Sequence, residues 1–333
     1  MALPAVTVVT TVTRHSGLGL AQPKFSARPS ASHTYDAPDP DAYITDSGPF
    51  DIIGDVHGCY DELCQLLEKL GYQKQGTFTV ADTGLTVPRF RHPDGRKLIF
   101  VGDYADRGPN TPAVLAVAEE QLTSGAGYGV IGNHDEEYRK HFNPDQAPFK
   151  RGMFFNATFR QLASVVGALL GDTQLGDTLV NETHDGLKAY QHHLFKFLNT
   201  LPVQLRFDNG RLVVAHAAAP EADHGQPTSK RIRRKSLYGF QADTPDEFGL
   251  KPRTNWTNTY TGPAVVVYGH VPHQNVYANN NCYDVDTGCC FGNKLTALRY
   301  PEMNWVDVAA NHIYEAYPRG ALPTTWVDPE TTA

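Results

Sequence analysis

From Phe50 onward the chain repeats one order: a short apolar run, a polar loop, then an amphipathic stretch. "FDII" at 50–53 has the length and composition of a strand and stops at Gly54. "YDELCQLLEKLGY" then places Leu63, Leu66, Leu67 and Leu70 at i, i+3, i+4 and i+7, one helical stripe closed by Gly71. Residues 73–96 mix Gly, Pro and alternating polar positions and predict a hairpin or loop insertion. "KLIFVG" predicts a strand, Thr111 to Gln121 a helix, "YGVIG" a third strand and "NHDEEYRKHF" another helix. Residues 145–200 read as mostly helical, most clearly in "LKAYQHHLFKFLNTL". "VQLRFDNGRLVVAHA" predicts a hairpin with a type I′ turn at Asn209-Gly210. "AVVVYGH", "NCYDVDTG", "KLTALRY", "WVDVA" and "HIYEA" predict further strands. No repeat of solenoid period is present. Helices interleaved with strands early, and consecutive strands late, predict one α/β domain with two packed sheets covered by helices.

Composition changes this picture little. At 333 residues with an ordinary apolar share, the chain can bury a sizeable core. The net charge of −7 argues against a surface devoted to nucleic acid. Five cysteines, at 59, 64, 282, 289 and 290, form neither a disulfide framework nor paired CxxC motifs, so a reducing, cytoplasmic setting is expected. No apolar run reaches the length of a membrane span. Residues 1–48 are rich in Ala, Ser, Thr and Pro, with Asp36 the first acid. They read as a flexible tail, although an acid-poor, Ser-rich start also fits a transit peptide. The expected organisation is therefore a tail over 1–48, a catalytic domain over 49–318 and a C-terminal tail over 319–333.

The chemistry gathers at strand ends. Five times an apolar run gives way to a ligand-type tip: Asp55 and His57 in "IIGDVHG"; Asp103, Asp106 and Arg107 in "IFVGDYADRG"; Asn133 and His134 in "VIGNHDE"; His216 in "LVVAHA"; His270 in "VVYGH". Sites in α/β folds are built on such loops. Carboxylate, imidazole and amide oxygen without cysteine suit a pair of divalent ions such as Mn, Fe or Zn, not a structural zinc. Two ions sharing a carboxylate suit phosphoester hydrolysis. One histidine on a strand-end loop is more often structural; four, each in its own motif, are not so easily explained that way. For Asp106 and Arg107 the plain alternative is an intraloop salt bridge. His192 and His193 read as surface, and Cys289-Cys290 as packing.

In this order, GDVHG, GDYADRG, GNHDE, AHA and YGH resemble the calcineurin-like metallophosphoesterases, specifically their phosphoprotein-phosphatase branch, over about residues 50–318. "HPDGRKLIFVGDYADRGPNTP", "LYGF…DEFGL" and "VDTGCCFGNKLTALRYPE" are similar to the phosphatase module of bacterial polynucleotide kinase–phosphatases and to stand-alone bacterial bis(5′-nucleosyl)-tetraphosphatase-like phosphatases. The resemblance implies a four-layer α/β/β/α sandwich of two mixed sheets flanked by helices. It implies hydrolysis of phosphomonoesters, cyclic phosphodiesters or nucleoside polyphosphates by a metal-bridging hydroxide. Asp55 and His57 would hold one ion, Asp103 would bridge, and Asn133, His216 and His270 would hold the other. Mn²⁺ is the expected activator, with Fe, Zn, Ni or Co as alternatives. His134 would be the general acid, oriented by Asp106, and Arg107 would bind phosphate. Asp286 would steer a metal-bound histidine from behind, although its position before Thr287-Gly288 equally suits a turn-capping acid.

Some features depart from the eukaryotic-type protein Ser/Thr phosphatases: GNHD with Glu136 following, "AHAAAP" in place of a glycine pair, and no "SAPNYC"-like segment. A phosphoprotein substrate is the alternative reading, and a catalytically silent metal-binding protein the alternative of another class. No GxxxxGK[ST] occurs, so the sequence holds no kinase half. The substrate expected is a phosphorylated small molecule, a nucleotide or an RNA end. The basic run at Lys230, Arg231, Arg233, Arg234 and Lys235 reads either as a positive rim for a polyanion or as a solvated loop.

Overall fold

The computed structural model describes residues 44–81, 83–145, 155–171, 184–242, 244, 245, 249 and 251–326, all within one unit spanning Asp36–Ala333. Two five-stranded mixed sheets form its centre. The first contains β1 (Phe50–Ile53), β4 (Lys97–Phe100), β5 (Gly127–Gly129), β13 (Lys294–Tyr300) and β14 (Asn304–Ala309), in the order β14-β13-β1-β4-β5. The second contains β6 (Gln204–Phe207), β7 (Leu212–Ala215), β10 (Val265–Tyr268), β11 (Tyr277–Asn279) and β12 (Cys282–Asp284), in the order β11-β12-β10-β7-β6. β1, β4 and β5 run parallel, as do β7, β10 and β12. Their carboxyl ends therefore lie together within each sheet, which is where an open α/β sheet carries its ligands.

Strand periodicity explains the layering. Phe50 and Ile52 pack with Ile99 and Val101 against Phe207, Val214 and Val267 of the other sheet, forming the inter-sheet core. The alternate residue Ile53 joins the helix-facing core with Leu63, Leu66 and Leu67 of α1 (Tyr60–Leu70). α2 (Thr111–Thr123) belongs to that layer as well. Asp51 also faces away from the inter-sheet core and is fully buried; Arg96 at 3.2 Å and Arg299 at 3.1 Å neutralise it. The outer face of the second sheet is covered more thinly, by Trp256 and Tyr260 around a 3₁₀ turn, Trp256–Thr259. β2 (Gln73–Thr79) and β3 (Thr86–Arg91) form the hairpin predicted within 73–96.

Several expectations need correction. The 204–215 hairpin exists, but its turn spans Asp208 to Arg211, with Asp208, Asn209 and Gly210 all at positive φ. Asp208 holds that wider turn through Arg211 Nη2 at 2.5 Å and Tyr300 Oη at 2.5 Å. "HIYEA" forms no strand; Tyr314 and Glu315 donate their amides to Cys290 O at 3.0 and 3.1 Å. The third strand ends at Gly129, and Val130 and Ile131 continue as buried loop. The helical reading of 145–200 holds at α4 (Phe155–Leu170) and α5 (Asp185–Asn199); residues 146–154 and 172–183 lie outside the described residues. Contacts also extend past both ends of the 49–318 span. Ile44 donates its amide to Arg206 O at 3.1 Å and Asp46 pairs with Lys97 at 2.8 Å. At the other end Gln274 N donates to Pro323 O at 2.9 Å, and Trp326 lies 5.7 Å from the His273 ring.

The basic run is α6 (Lys230–Tyr238), with Ser229 Oγ accepting from Ile232 N as its cap. Helical spacing aligns Arg231 and Lys235, which both bind Asp223, at 3.0 and 2.9 Å. Arg233 binds Glu136 at 2.5 Å. Three of the five cations expected to form a rim are thus tied to carboxylates.

Candidate functional site

The five tips converge at the strand ends. Asp103, beyond β4, is central: its Oδ2 lies 3.3 Å from His57 Nε2 and 3.5 Å from His216 Nε2, and its Oδ1 accepts from His134 N at 3.0 Å. His216 Nε2 also lies 3.0 Å from Asn133 Oδ1 and 3.1 Å from His270 Nδ1. The His270 amide donates to Asp55 Oδ2 at 3.1 Å. Asp286, on the β12–β13 connection, lies against the Asp55 carboxylate. All ten residues singled out in the sequence belong to this one network.

The backbone is bent to achieve it. Ten described non-glycine residues have positive φ, and five are here: His57 (44°), Asp103 (51°), Asp106 (74°), Arg107 (67°) and His270 (78°). Such conformations cost about 1–3 kcal/mol each and persist only where surroundings enforce them. Two glycines make the convergence possible. A Cβ at Gly132 would strike the Asp103 carboxylate, and one at Gly269 would strike that of Asp55. Each glycine in "GNHD" and "YGH" clears space for another motif's acid.

The donor set fits divalent cations. His57 Nδ1 donates to Ala105 O at 2.7 Å and His216 Nδ1 to Val101 O at 3.0 Å, which leaves both Nε2 lone pairs facing inward. Asp55 Oδ1 and His270 Nε2 are buried without a hydrogen-bond partner among the described residues. Burial, with Asp286, Asp103 and Asp284 nearby, pushes the Asp55 carboxyl well above its ordinary range. Burial, opposed in part by the Gly288 amide, brings Asp286 up to about 6. Burial lowers His57, His216 and His270, so these imidazoles are neutral lone-pair donors. Two ligand groups form around the shared carboxylate: His57, Asp103 and His134, and Asp103, His216 and His270, each with ligand atoms within 4.8 Å. Clustered acids and inward lone pairs are costly without cations.

In the other half of the site Asp106 is well partnered, whereas the buried Arg107 Nε has no hydrogen-bond partner among the described residues. Asp106 accepts from His134 Nδ1 at 2.7 Å, Thr158 Oγ1 at 3.0 Å and the Tyr138 hydroxyl. Burial alone would raise its pKa, but these three donors hold it below the ordinary range. Arg107 donates to His57 Nε2 at 2.5 Å and His134 Nε2 at 3.2 Å, packs 5.0 Å from the Phe291 ring and has Glu315 at 3.7 Å. Asp286 Oδ1 accepts from Gly288 N at 2.9 Å, as a turn-capping acid does, and its carboxylate lies against that of Asp55.

Two contributors escaped the sequence reading. Asp135 is fully buried; its Oδ1 accepts from Tyr104 N and Ala105 N at 3.0 and 3.2 Å, and its Oδ2 from Gly132 N at 2.9 Å. It splices the "GDYADRG" loop to the start of α3 (Asn133–His141). Its signal was available as an acid three residues after the α3 N-cap. Arg253 acts electrostatically on both His216 and His270. Burial and neighbouring Arg319 lower its pKa to about 10. Among the described residues no carboxylate lies within ion-pair distance of it. No motif marks it in "KPRT".

Fold and site together define a metal-dependent phosphoric ester hydrolase. The chain belongs to the family described as "Calcineurin-like phosphoesterase", which it matches over residues 48–274. It is 34% identical over 260 residues to a protein named "Bis(5'-nucleosyl)-tetraphosphatase PrpE [asymmetrical]" from Halalkalibacterium halodurans, covering 78% of this chain and 93% of that one. Proteins of the same name from Oceanobacillus iheyensis and Bacillus subtilis are 33% and 32% identical, with 80% of this chain covered in both cases and 94% and 96% of theirs.

Proposed function

We propose that this phosphohydrolase acts on a bis(5′-nucleosyl) tetraphosphate. The observation that carries the reading is Arg253. Its positive charge is felt by His216 and His270, whereas Arg107 donates directly to His57 and His134. Cations on both sides suit a chain of phosphates better than a lone phosphoryl group. The name of the relatives supports the same substrate class.

Asp55, His57 and Asp103 would hold one ion, and Asp103, Asn133, His216 and His270 the other, with Mn²⁺ the proposed activator. Two such ions supply Lewis-acid charge for the phosphoryl oxygens and lower the pKa of a water. The protein's own groups supply orientation and a proton. Asp106 fixes the His134 tautomer by accepting from Nδ1 and would stabilise the imidazolium. With Arg107 donating to it, His134 Nε2 is an acceptor. Arg107 therefore has to turn toward phosphate before Nε2 can carry the proton given to the leaving oxygen. Asp286 would keep the Asp55 carboxylate in place. Five free thiols support a cytoplasmic setting, and among the described residues no helix is long and apolar enough to cross a membrane.

The test is one panel of kcat/KM values with Mn²⁺, Co²⁺, Ni²⁺, Zn²⁺ and Mg²⁺ on a dinucleoside tetraphosphate, an RNA 2′,3′-cyclic phosphate, a phosphopeptide and an aryl phosphate. The tetraphosphate with Mn²⁺ is expected to lead. Arg253→Ala should raise KM for it and leave the aryl phosphate unchanged. A phosphopeptide in the lead, or equal Arg253 effects on both substrates, would overturn the assignment.

A further inference from the structure

We propose that Cys59, Cys289 and Glu62 form a separate, sulfur-containing site for a thiophilic divalent cation of the zinc class. Cys59 is the N-cap of α1, Glu62 lies in its first turn, and Cys289 opens the 3₁₀ turn Cys289–Phe291. Their ligand atoms lie within 4.8 Å of one another, and the three residues are 0%, 0% and 1% exposed. Glu62 divides its carboxylate. Oε1 accepts from Asn311 N at 2.8 Å and Tyr314 Oη at 2.7 Å, whereas Oε2 is buried with no partner among the described residues. Cys59 Sγ donates weakly to His57 O at 3.6 Å. A buried carboxylate oxygen left unmatched beside two sulfurs is costly, and a cation is the partner that matches all three.

The donor chemistry separates this site from the phosphate-facing one. Two sulfurs and one carboxylate select zinc or a similarly soft ion, whereas the imidazole, amide and carboxylate set has no sulfur. Binding replaces both thiol protons: one divalent ion and two thiols give two metal–sulfur bonds and two protons released to solvent, with no change of oxidation state. The site ties the start of α1, just after His57, to the 289–291 turn and, through Glu62, to Asn311 and Tyr314. The next residue, Glu315, flanks Arg107. This ion would be structural, holding the support of the phosphate-binding arginine.

The experiment loads the full chain, stripped of metal, with Co²⁺, and follows thiolate-to-cobalt charge-transfer absorption beside total metal by mass spectrometry. Only a sulfur site gives that band. The band is expected in the native sequence and in His216→Ala, whose cobalt loss should fall on the phosphate-facing site. It should vanish in Cys59→Ser and in Cys289→Ser, and persist in Cys282→Ala. Glu62→Gln, which keeps the side-chain shape, should weaken cobalt binding read from the band by about tenfold and covers the case in which the cysteine variants fail to fold. No band in the native sequence, a band and affinity unchanged in Glu62→Gln, or a Cys59–Cys289 disulfide in protein purified under reducing conditions would each overturn the proposal.

Discussion

Asp106 and Asp55 are buried aspartates of one network, and they are solved in opposite ways. Asp106 has a donor for each of its needs, from His134, Tyr138 and Thr158, and is held ionised. Asp55 has one backbone donor and a ring of other acids, and burial with that ring drives it toward the protonated form. The first is complete within the chain; the second needs charge from outside it. The same carboxyl group is thus a finished orienting device in one place and half of a cation site in the other, and the partners decide which.

Removing divalent ions is the strongest way to test that division. Chelation should take turnover to background, and re-addition of Mn²⁺ should restore it, with Asp106 still bonded to His134 throughout. Restoration without added metal would break the comparison. Next, Asp106→Asn should lower kcat by about 10²–10⁴-fold while metal content stays unchanged, because no ligand has been removed. A loss of metal in that variant would mean that Asp106 belongs to the cation half after all.

The two halves should also titrate in opposite directions. Asp106 lies below its unfolded value, so its contribution to stability is present above about pH 4 and is lost as pH falls through its folded pKa. Asp286 lies above its unfolded value, at about 6. The native state then binds the proton more tightly, and metal-free protein loses stability as pH rises from about 4 to about 6, by no more than about 3 kcal/mol. Chemical denaturation of metal-free protein across that window should show the decline, and Asp286→Asn should flatten it. Bound divalent ions should reverse the slope, since they favour the ionised acids.

How far the sequence revealed this site depends on what kind of order produced each part. The five tips were legible because each sits where an apolar run meets a glycine and a ligand-type residue, a local pattern. The two sheets were legible for the same reason, through periodicity. Arg253 was not, because its place beside His216 and His270 comes from tertiary packing of the two-residue strand Arg253–Thr254. Glu62 was hidden by its own helix: it precedes the Leu63 stripe with no motif to mark it, yet it is fully buried and accepts from Asn311 and Tyr314. The basic run misled because its charges look unpartnered until Asp223 and Glu136 are brought to them. Left-handed φ at His57 and Asp103 falls on residue types that tolerate it, but no sequence signal marks those two positions for it.

The finest test removes a single donor from the finished half. Tyr138 is 2% exposed and its hydroxyl donates to Asp106 Oδ1, the oxygen that Thr158 also reaches. Tyr138→Phe leaves the ring packing intact and deletes that bond. Asp106 keeps His134 and Thr158, so its orientation survives and its pKa moves up toward the ordinary value. The expected cost is about 1.5–3 kcal/mol of stability for a hydrogen bond to a charged group. The expected loss in kcat is about threefold to tenfold, far below that of Asp106→Asn. Since Tyr138 lies outside both phosphate-facing ligand groups, Mn²⁺ affinity should not change, and the acid limb of the stability profile should move to higher pH. An equal loss in Tyr138→Phe and Asp106→Asn would show that Asp106 works as a single rigid unit with its donors, not as a carboxylate that three donors tune.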